Sequence, residues 1–338
     1  MTDRNMAVGQ NNSSGEDSLI ARYFKPLATD PGAFALGDDA AVLKAHGDDI
    51  VVTTDAIVEG VHFLSQDPPD TVARKALRVN LSDLAAKGAT PAGFVLTLGL
   101  RSADDAWLQP FARGLGEDAA QFACPLLGGD TVSTPGPLMI SITALGRVPS
   151  GKMVHRSGAK PGDRVVVTGT IGDAALGLDI LRGGAAALAL ADDAAASQRL
   201  VERYRVPQPR NALASALRDH AHAAMDVSDG LAGDLAKLCA ASRVSAVIDI
   251  ASIPLSAPAA TLLARGAAGI ETILSGGDDY EVLCAVSELQ FEAFAAAARL
   301  AGAPVTSIGT VIAGSAAPRF LDAQGREIAL KRRSYSHF

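Results

Sequence analysis

Met225-Asp226-Val227-Ser228-Asp229-Gly230-Leu231 is the stretch of sequence that most constrains the fold. Apolar residues before it predict a buried strand, and apolar residues at helical spacing after it predict a helix that begins near Leu231. The glycine between them is typical of a sharp strand-to-helix turn. Three side chains that carry oxygen, those of Asp226, Ser228 and Asp229, therefore lie within four residues of one another at the junction. A strand that leads directly into a helix is typical of an α/β domain.

Further acidic motifs recur along the chain, each beside glycine or a hydroxyl-bearing residue. They are Gly37-Asp38-Asp39, Thr53-Thr54-Asp55, Asn80-Leu81-Ser82-Asp83, Gly129-Asp130-Thr131 and Gly276-Gly277-Asp278-Asp279. Almost none has Lys or Arg next to it in the sequence. Carboxylates that converge in a fold stay ionised only when cations join them. Short acids with hydroxyl neighbours, and without Cys or His, suit Mg²⁺ or Ca²⁺.

Taken singly, each of these motifs has another interpretation. Asp beside Gly is typical of turns and helix N-caps, because its carboxylate accepts hydrogen bonds from nearby backbone N–H groups. Two features favour a metal site over a set of turns. Gly37-Asp38-Asp39 and Gly276-Gly277-Asp278-Asp279 carry two acids where a turn needs one, and Thr53-Thr54-Asp55 is predicted to end an apolar strand whose hydroxyls need partners.

Length and charge narrow the class of protein. A chain of 338 residues predicts about two domains. The composition is that of a globular protein, with 48% hydrophobic and 20% charged residues. The net charge of -7 argues against a nucleic-acid partner, which needs a basic face. Anionic substrates would then bind through metal ions rather than through a basic surface.

The cysteines and the lengths of the apolar runs indicate the cellular compartment of the protein. Three cysteines, Cys124, Cys239 and Cys284, form no CxxC pair and give no disulfide framework, which predicts a reduced, cytoplasmic setting. No apolar run approaches the roughly 20 residues of a membrane span, so no membrane partner is expected. Residues 1–14 are predicted to be a disordered leader, since they are polar and lack the apolar core of a signal peptide.

The order of the predicted elements indicates a mixed α/β (α+β) fold in two domains. Two prolines and three glycines between Pro149 and Gly162 mark the boundary. Residues 15–150 are therefore predicted as an N-terminal domain, and residues 151–338 as a C-terminal α/β domain. Predicted helices cover residues from about 14 to 27, 68–88, 104–122, 209–220, 231–241 and 289–301, with another starting at 173. Predicted strands cover 40–43, 50–54, 94–100, 138–148, 164–168, 244–250, 280–286 and 305–311, with short strands ending at 128 and around 226.

Several residues outside the acidic motifs are candidates for binding, each with a second interpretation. Gly128 and Gly129 could bring backbone N–H groups to a phosphate, or form a tight turn. His62 could contact a substrate or be a partly exposed strand residue. Arg156 could reach a nucleotide phosphate through two hydrogen bonds or be a solvated surface charge. Tyr335 could cover a ring of the substrate or pack within the tail.

Several common motifs are absent from the sequence. There is no GxxxxGK[ST], and no GxGxxG that follows a strand, so neither a P-loop nor a dinucleotide-binding fold is supported. There is also no GxSxG or HExxH. The candidate chemistry is therefore that of the scattered acids.

Taken in order, the motifs resemble the thiamine-monophosphate kinase family, from about Glu16 to Phe338. The resemblance rests on segments spread over the whole chain. They are Gly37-Asp38-Asp39-Ala40, Thr53-Thr54-Asp55 followed by Gly60-Val61-His62-Phe63, Val79-Asn80-Leu81-Ser82-Asp83-Leu84-Ala85, Leu127-Gly128-Gly129-Asp130-Thr131, Arg156-Ser157-Gly158-Ala159-Lys160-Pro161-Gly162-Asp163, Met225-Asp226-Val227-Ser228-Asp229-Gly230-Leu231 and Ser275-Gly276-Gly277-Asp278-Asp279-Tyr280-Glu281.

The resemblance implies the two-domain aminoimidazole ribonucleotide synthetase-like fold. In that superfamily the N-terminal domains pair across a two-fold axis and join their sheets into a barrel, so a homodimer is expected. The nucleotide lies in a cleft between the two domains. The resemblance thus implies that residues 15–150 form the metal- and ATP-binding and dimerisation domain, and that the tail of the domain over 151–338 contacts substrate. The implied reaction is Mg²⁺-dependent transfer of the γ-phosphate of ATP to thiamine monophosphate, which yields thiamine diphosphate and ADP and completes the synthesis of that cofactor.

Carried over position by position, the family pattern implies three groups of site residues. The implied ligands of several Mg²⁺ ions are Asp38, Thr53, Thr54, Asp55, Asp83, Asp130, Asp226 and Asp229, among which Asp55, Asp130 and Asp229 are expected to be catalytic. The implied ATP contacts are Gly129, Asp130, Arg156 and Ser228. The implied contacts to thiamine monophosphate are His62, Asp278 and Tyr335. Related sequences often carry Glu at position 278, so the shorter Asp278 leaves open a direct contact or a water bridge.

The implied chemistry agrees with the residues. Transfer from ATP to a phosphate monoester brings two polyanions together, and phosphoryl transfer depends largely on positioning and charge neutralisation. The acceptor is already an oxyanion near neutral pH, since its second pKa is about 6. No strong general base is needed, and we expect direct in-line transfer without a phosphoenzyme.

Other functions share the same features. Aminoimidazole ribonucleotide synthetase activity is possible on the fold alone, although Thr53-Thr54-Asp55 and the aromatic tail favour the thiamine kinase. A non-catalytic protein that binds Mg–ATP would use the same acids without an acceptor site. Selenophosphate synthetase would carry a reactive Cys near its N-terminus, and the hydrogenase maturation dehydratase would end in Cys. Here no Cys precedes Cys124, and the sequence ends in His337-Phe338.

Overall fold

A computed structural model describes residues 18–36, 43–330 and 334 of the chain. The predicted leader, the start of the helix predicted from about residue 14 and most of the predicted strand over 40–43 lie outside the described residues. Within the described ranges, two sheets lie on either side of the boundary predicted between Pro149 and Gly162.

The first sheet carries two long helices on one of its faces. In the described part of the chain it has four strands in the order β1-β4-β2-β3, antiparallel except for the β2–β3 pair. Its elements are β1 (Asp49–Val58), α1 (Pro69–Ala86), β2 (Thr90–Leu100), α2 (Asp105–Gln121), β3 (Leu126–Ser133) and β4 (Met139–Val148). The core between sheet and helices is built from apolar side chains such as Leu77, Phe94 and Phe111.

None of the helices in the described part of the chain covers the other face of this sheet. Side chains on it alternate with buried ones along each strand, as expected for a sheet covered on one side only. Val52, Val95, Val132 and Met139 all project from this face and are exposed, Val52 to 60% of its surface. Single exposed apolar residues are ordinary, but a group on one sheet face indicates a surface that another chain can cover.

The second sheet forms a larger α/β domain. Its six strands among the described residues follow the order β10-β7-β9-β5-β8-β6. They are β5 (Arg164–Thr168), β6 (Ala221–Val227), β7 (Val244–Asp249), β8 (Glu281–Val286), β9 (Val305–Ala313) and β10 (Arg319–Leu321). The helices are α3 (Asp173–Leu181), α4 (Ala185–Ala189), α5 (Ala194–Arg205), α6 (Ala214–His220), α7 (Leu231–Ser242), α8 (Ala257–Ala264), α9 (Ile270–Ser275) and α10 (Phe291–Leu300).

Two predicted strand ends are wrong. Thr53-Thr54-Asp55 lies in the middle of β1, and Gly128-Gly129-Asp130-Thr131 lies within β3 rather than in a turn. Gly129 continues the ladder because it has no side chain. A Cβ there would lie 2.0 Å from the carbonyl oxygen of Leu96 on β2, so only glycine lets the two backbones approach this closely.

Several helices also differ from the prediction. The first helix is not a regular α-helix, because it adopts a π-helical turn over Ile20–Phe24 and a 3₁₀ turn over Lys25–Leu27, where Pro26 cannot donate an N–H. Helices α4, α5, α8 and α9 were not predicted. The N-cap of α5, Asp193, accepts a 3.0 Å hydrogen bond from the N–H of Ala196.

Helix α1 lies between the domains and is buried on nearly all sides. It begins at Pro69, as the sequence predicts, because proline has no N–H to leave unpaired in the first turn. Its buried Arg78 donates to both carboxylate oxygens of Asp118 on α2, at 2.5 and 2.9 Å, and to the carbonyl oxygen of Pro207, at 3.0 Å. Asn211 of the second domain donates to the carbonyl oxygen of Leu81, at 3.0 Å. The two domains therefore share hydrogen bonds through α1.

No helix among the described residues is both long and apolar enough to cross a bilayer.

Replacing the fully buried Asp118 should strongly destabilise the fold. Asp118→Asn removes the charge that compensates Arg78 and Arg74, and unpairing a buried charge costs about 3–5 kcal/mol. Urea unfolding followed by circular dichroism should show a lower midpoint. The matched control is Glu288→Gln, which breaks an exposed pair with Arg164 and should change stability by less than about 1 kcal/mol. Equal midpoints for the two variants would contradict this account.

Candidate active site

A cavity of about 580 Å³ opens between the two domains. Four of the acids predicted to bind metal line it, namely Asp55 and Asp83 from the first domain and Asp226 and Asp229 from the second. Other predicted site residues on its wall are His62, Ser228 and Asp278. The structure thus brings acids from both domains together in one cleft, as the sequence predicts for these four.

The first-domain acids are positioned by an edge strand and a buried helix. Because β1 is at the edge of its sheet, the N–H of Asp55 points away from β4 and donates to Oδ1 of Asn80 on α1, at 3.0 Å. The Thr53 hydroxyl donates to Oδ2 of Asp83, one turn further along α1, at 2.5 Å. These two contacts hold Asp55 and Asp83 side by side.

The second-domain acids sit where β6 ends. Asp226 is buried, and its Oδ2 accepts a 2.9 Å hydrogen bond from Ser82 of α1. The loop that follows is shaped by Asp234, whose Oδ2 accepts from the backbone N–H groups of Ser228 and Asp229, at 3.0 and 2.9 Å. Gly230 has a φ of +109°, and a Cβ there would lie 2.7 Å from the carbonyl carbon of Ser275. The turn therefore requires glycine.

The converging acids repel one another. Burial raises the pKa of Asp55 to about 6, and the charges of Asp83 and Asp229 add to that rise. Burial also raises the pKa of Asp226 well above its ordinary range, with Asp83 as the next cause. Asp55 faces the open cavity, so water reaches it, but the walls on either side displace much of the bulk solvent. The cluster therefore carries more negative charge than its surroundings readily stabilise.

Two lysines approach the cluster, so the expectation that the acids lack basic partners is wrong in three dimensions. Lys237 of α7 lies 2.5 Å from Oδ2 of Asp229 and 2.8 Å from Oδ1 of Asp234. Lys87, directly after α1, donates to the carbonyl oxygen of Ala224, at 2.7 Å. Its pKa is lowered by burial first and by the charge of Arg156 next, and it is raised by Asp226 and Asp83.

Sequence spacing contained a partial signal for these lysines. Lys87 follows Asp83 by four residues, the spacing that puts two side chains on one helix face. Lys237 follows Asp229 by eight residues across a loop and a helix, so only the fold of the loop brings them together.

The donor set fits Mg²⁺. Carboxylates and the Thr53 hydroxyl are oxygen ligands, and added cations would offset the repulsion that raises the pKa of Asp55. Among the described residues, no three acidic, His or Cys side chains form a ready-made cage for a metal. This is compatible with Mg²⁺, which keeps several waters and takes one or two carboxylates together with substrate phosphates.

Other predicted site residues lie away from the cluster. Thr54 is on the open sheet face, where it donates to the carbonyl oxygen of Ile142 and accepts from Thr143. Gly129 and Asp130 are on β3, at the far edge of the sheet. Asp130 is in register with Ala56 of β1 through two intervening strands, so three strand spacings, about 14 Å, separate the two positions.

Three further predicted site residues are Arg156, Asp38 and Tyr335. Arg156 is exposed in the segment between the domains, and its charge acts on Lys87 beside the acid cluster. Asp38 and Tyr335 lie outside the described residues, so their predicted roles stay predictions.

Two of the predicted substrate contacts, His62 and Asp278, line the same cavity. His62 lies in the turn after β1, and its Nδ1 accepts a 3.1 Å hydrogen bond from the N–H of Val58, which leaves Nε2 to carry the proton of the neutral ring. Asp278 accepts from Lys75, at 2.8 Å, and from the Tyr280 hydroxyl, at 3.2 Å. Neither Lys75 nor Tyr280 was predicted from the sequence to be part of the site.

Comparison with known proteins adds to this geometry. The family model AIR synthase related protein, N-terminal domain, matches residues 37–148, and its C-terminal domain model matches residues 160–319. Thiamine-monophosphate kinase of Caulobacter vibrioides is 46% identical to this chain over 324 residues, covering 94% of this chain and 89% of that protein.

Solved structures agree with these relatives. The crystal structure of thiamine-monophosphate kinase from Stenotrophomonas maltophilia superposes with a TM-score of 0.81 at 39% identity, covering 92% of this chain and 96% of that one. A structure of AaThiL complexed with AMPPCP and TMP gives a TM-score of 0.74 at 29% identity, covering 89% and 91%.

The two domain matches and the acid-lined cavity between the domains define the class as that of the two-domain AIR synthase related proteins. Within that class, this chain belongs to the thiamine-monophosphate kinase family. The two-domain fold and the family that the motifs predicted are therefore confirmed.

The repulsion at Asp55 leads to a prediction for the metal-free protein. Its pKa of about 6 lies above the roughly 3.9 of an unfolded Asp, so between these values the folded state binds more protons than the unfolded state. The free energy of unfolding contributed by this group therefore falls as pH rises through that window. In EDTA at pH 7.5, Asp55→Asn should raise the thermal midpoint by roughly 1–3 °C, a small value because water in the cavity screens part of the repulsion.

The same variant should lose that advantage at pH 4, where Asp55 is protonated in most molecules. Differential scanning calorimetry at both pH values measures the difference. Asp192→Asn, at an exposed acid outside the cavity, is the control and should leave the midpoint unchanged. A lower midpoint for Asp55→Asn at pH 7.5 would show that Asp55 stabilises the fold rather than straining it.

Proposed function

We propose that this chain transfers the γ-phosphate of ATP to thiamine monophosphate, giving thiamine diphosphate and ADP. The observation that carries the proposal is the cluster of Asp55, Asp83, Asp226 and Asp229 in an interdomain cavity, in a chain of the thiamine-monophosphate kinase family. A relative of the same fold was solved with AMPPCP and TMP, a nucleotide analogue and a second ligand together. A cavity of about 580 Å³ falls within the usual size range of small-molecule sites.

The chemistry follows from the charges. ATP and thiamine monophosphate are both polyanions, and a site lined by acids repels them unless cations intervene. Mg²⁺ held by Asp55, Asp83, Asp226 and Asp229 would neutralise the transferring phosphoryl group and the acceptor phosphate. The residues themselves orient the two phosphates, and no side chain need take a proton, since the acceptor is already ionised near neutral pH.

Roles for the remaining predicted residues extend the proposal. Asp38, Thr53, Thr54 and Asp130 would complete the metal ligands. Gly129, Asp130, Arg156 and Ser228 would contact ATP, which fits the position of Ser228 on the cavity wall and the charge of Arg156 near Lys87. His62, Asp278 and Tyr335 would contact thiamine monophosphate, and His62 and Asp278 line the same cavity as the acids. The shorter arm of Asp278 leaves room for a bridging water.

We also propose a homodimer formed through the open sheet face. The exposed apolar residues Val52, Val95, Val132 and Met139 on that face support this arrangement. Asp130 has the same register parity as Val132 on β3 and so projects from the same face. A partner packed there would bring its own Asp130 towards the site, which would account for the distance of Asp130 from the cluster within one chain.

A cytoplasmic location is part of the proposal. Its support is that Cys124, Cys239 and Cys284 are all free and buried. Burial raises the pKa of each thiol, which leaves them protonated and unreactive.

ADP release tests the function. With Mg²⁺ and ATP, addition of thiamine monophosphate should stimulate ADP release and yield thiamine diphosphate in equal amount. With γ-labelled ATP, the label should pass to the product and none should stay on the protein, because transfer is direct. Binding of ATP without turnover would favour a non-catalytic Mg–ATP-binding protein, and stimulation by a formylglycinamidine nucleotide instead would favour a synthetase.

Asp130→Asn tests the proposed catalytic role across the dimer. We expect kcat to fall by about 10²–10³-fold with an unchanged thermal midpoint, because Asp130 touches the reacting phosphates rather than the core. If the partner supplies Asp130, mixing this variant with Asp229→Asn should restore part of the activity through heterodimers that keep one intact site. Wild-type activity in Asp130→Asn would refute its role, and mixtures no more active than their components would refute the shared site.

A further inference from the structure

Lys75 of α1 is only 1% exposed, although lysine is almost never fully buried without partners. It lies near the middle of the helix, on a side that faces the second domain. Its ammonium group forms a salt bridge with Asp278, a predicted contact to the acceptor substrate. The roles proposed for the other site residues do not explain why this lysine is buried. A buried ammonium group is stable only when its donors are satisfied, so its partners indicate what it holds in place.

The partners of Lys75 come from three separate segments. Its Nζ donates to the carbonyl oxygen of His62, at 2.8 Å, and to Oδ2 of Asp278, also at 2.8 Å. It also lies 3.8 Å from the centre of the Tyr204 ring, within the range of a cation–π interaction. The Tyr204 hydroxyl donates to the same His62 carbonyl oxygen, at 3.2 Å. Lys75 therefore joins the turn after β1, helix α5 and the loop before β8.

Asp278 is held at both of its oxygens. The ammonium group of Lys75 donates to Oδ2 of Asp278, and the Tyr280 hydroxyl donates to Oδ1. The backbone is also constrained, because Asp278 has a φ of +70° and its N–H donates to the carbonyl oxygen of Ser228, at 2.8 Å. Its side chain is still 25% exposed towards the cavity. A carboxylate has about four acceptor sites, so room for one more donor remains on the exposed side.

We propose that Lys75 is a positioning residue for recognition of the acceptor substrate, an inference that rests on the proposed kinase function. Lys75 holds His62 and Asp278 in a fixed relation across the domain boundary. It also compensates the charge of Asp278, so this wall presents an oriented hydrogen-bond acceptor without a net negative charge. Such a wall suits the amino group of an aromatic ring, which donates a hydrogen bond without carrying a full charge.

The contacts of Lys75 involve residues proposed to bind the acceptor rather than those proposed to hold the phosphates. Lys75 contacts the wall of His62 and Asp278 rather than Asp55, Asp83, Asp226 or Asp229, where the phosphates would lie. Its loss should therefore change binding of the acceptor far more than binding of ATP. A residue that merely stabilised the fold would affect both substrates alike.

The test compares Lys75→Met with wild type in steady-state kinetics. We expect KM for thiamine monophosphate to rise at least about tenfold while KM for ATP changes less than about twofold, because a misplaced wall weakens only the contacts it makes. Asp278→Asn should give a similar rise. The double variant should be no worse than either single variant, since Lys75 acts through Asp278. Lys152→Met, at an exposed lysine, is the control and should match wild type.

Tyr204→Phe keeps the proposal testable if Lys75→Met does not fold. It retains the ring beside the ammonium group and removes the hydrogen bond to His62, so KM for thiamine monophosphate should rise about two- to fivefold with KM for ATP unchanged. Equal changes in both KM values, additive single and double variants, or no change in Tyr204→Phe would overturn the inference. Wild-type protein that does not phosphorylate thiamine monophosphate would refute the proposed function instead.

Discussion

A single buried helix, α1, imposes the constraint on which the site depends. It is enclosed by both domains, so each polar side chain on it needs a partner from one domain or the other. The guanidinium of Arg78 donates to Asp118, the side-chain oxygen of Asn80 accepts from the N–H of Asp55, and the hydroxyl of Ser82 donates to Asp226. Satisfying these groups fixes the relation between the domains, and the same hydrogen bonds place the acids. Stability and the site are therefore built from one set of contacts.

Electrostatic repulsion among the acids in the cavity acts against these stabilising hydrogen bonds. Burial and then the charges of Asp83 and Asp229 raise the pKa of Asp55, and burial and then the charge of Asp83 raise the pKa of Asp226. Groups with such shifts in a cleft are typical of functional sites. The nearby lysines have different partners. Lys237 and Lys87 border the acid cluster, whereas Lys75 pairs with Asp278. In the proposed mechanism the acid cluster takes cations and phosphates, and Asp278 takes a neutral donor.

Much of this could be predicted from the sequence, and particular residues show why the rest could not. The loop from Asp226 to Gly230 was predicted at a strand-to-helix junction, because strand and helix periodicities and a required glycine are local signals. The continuation of β3 through Gly129 was missed, since a close approach to Leu96 depends on a neighbouring strand. The pairing of Lys75 with Asp278 joins residues 203 positions apart, and no local pattern encodes such a contact.

The sequence by itself determined the family, the two-domain α/β class and the set of acids proposed to bind metal, because residue types and their order along the chain are enough to specify them. The tertiary structure decided which acids meet. It gathered Asp55, Asp83, Asp226 and Asp229 in one cavity, put Thr54 and Asp130 on the open sheet face, and supplied lysine partners that the neighbouring sequence lacks. The physical reason is that Coulomb energy and desolvation depend on distance in space and on burial, and both are set only when helices and strands pack.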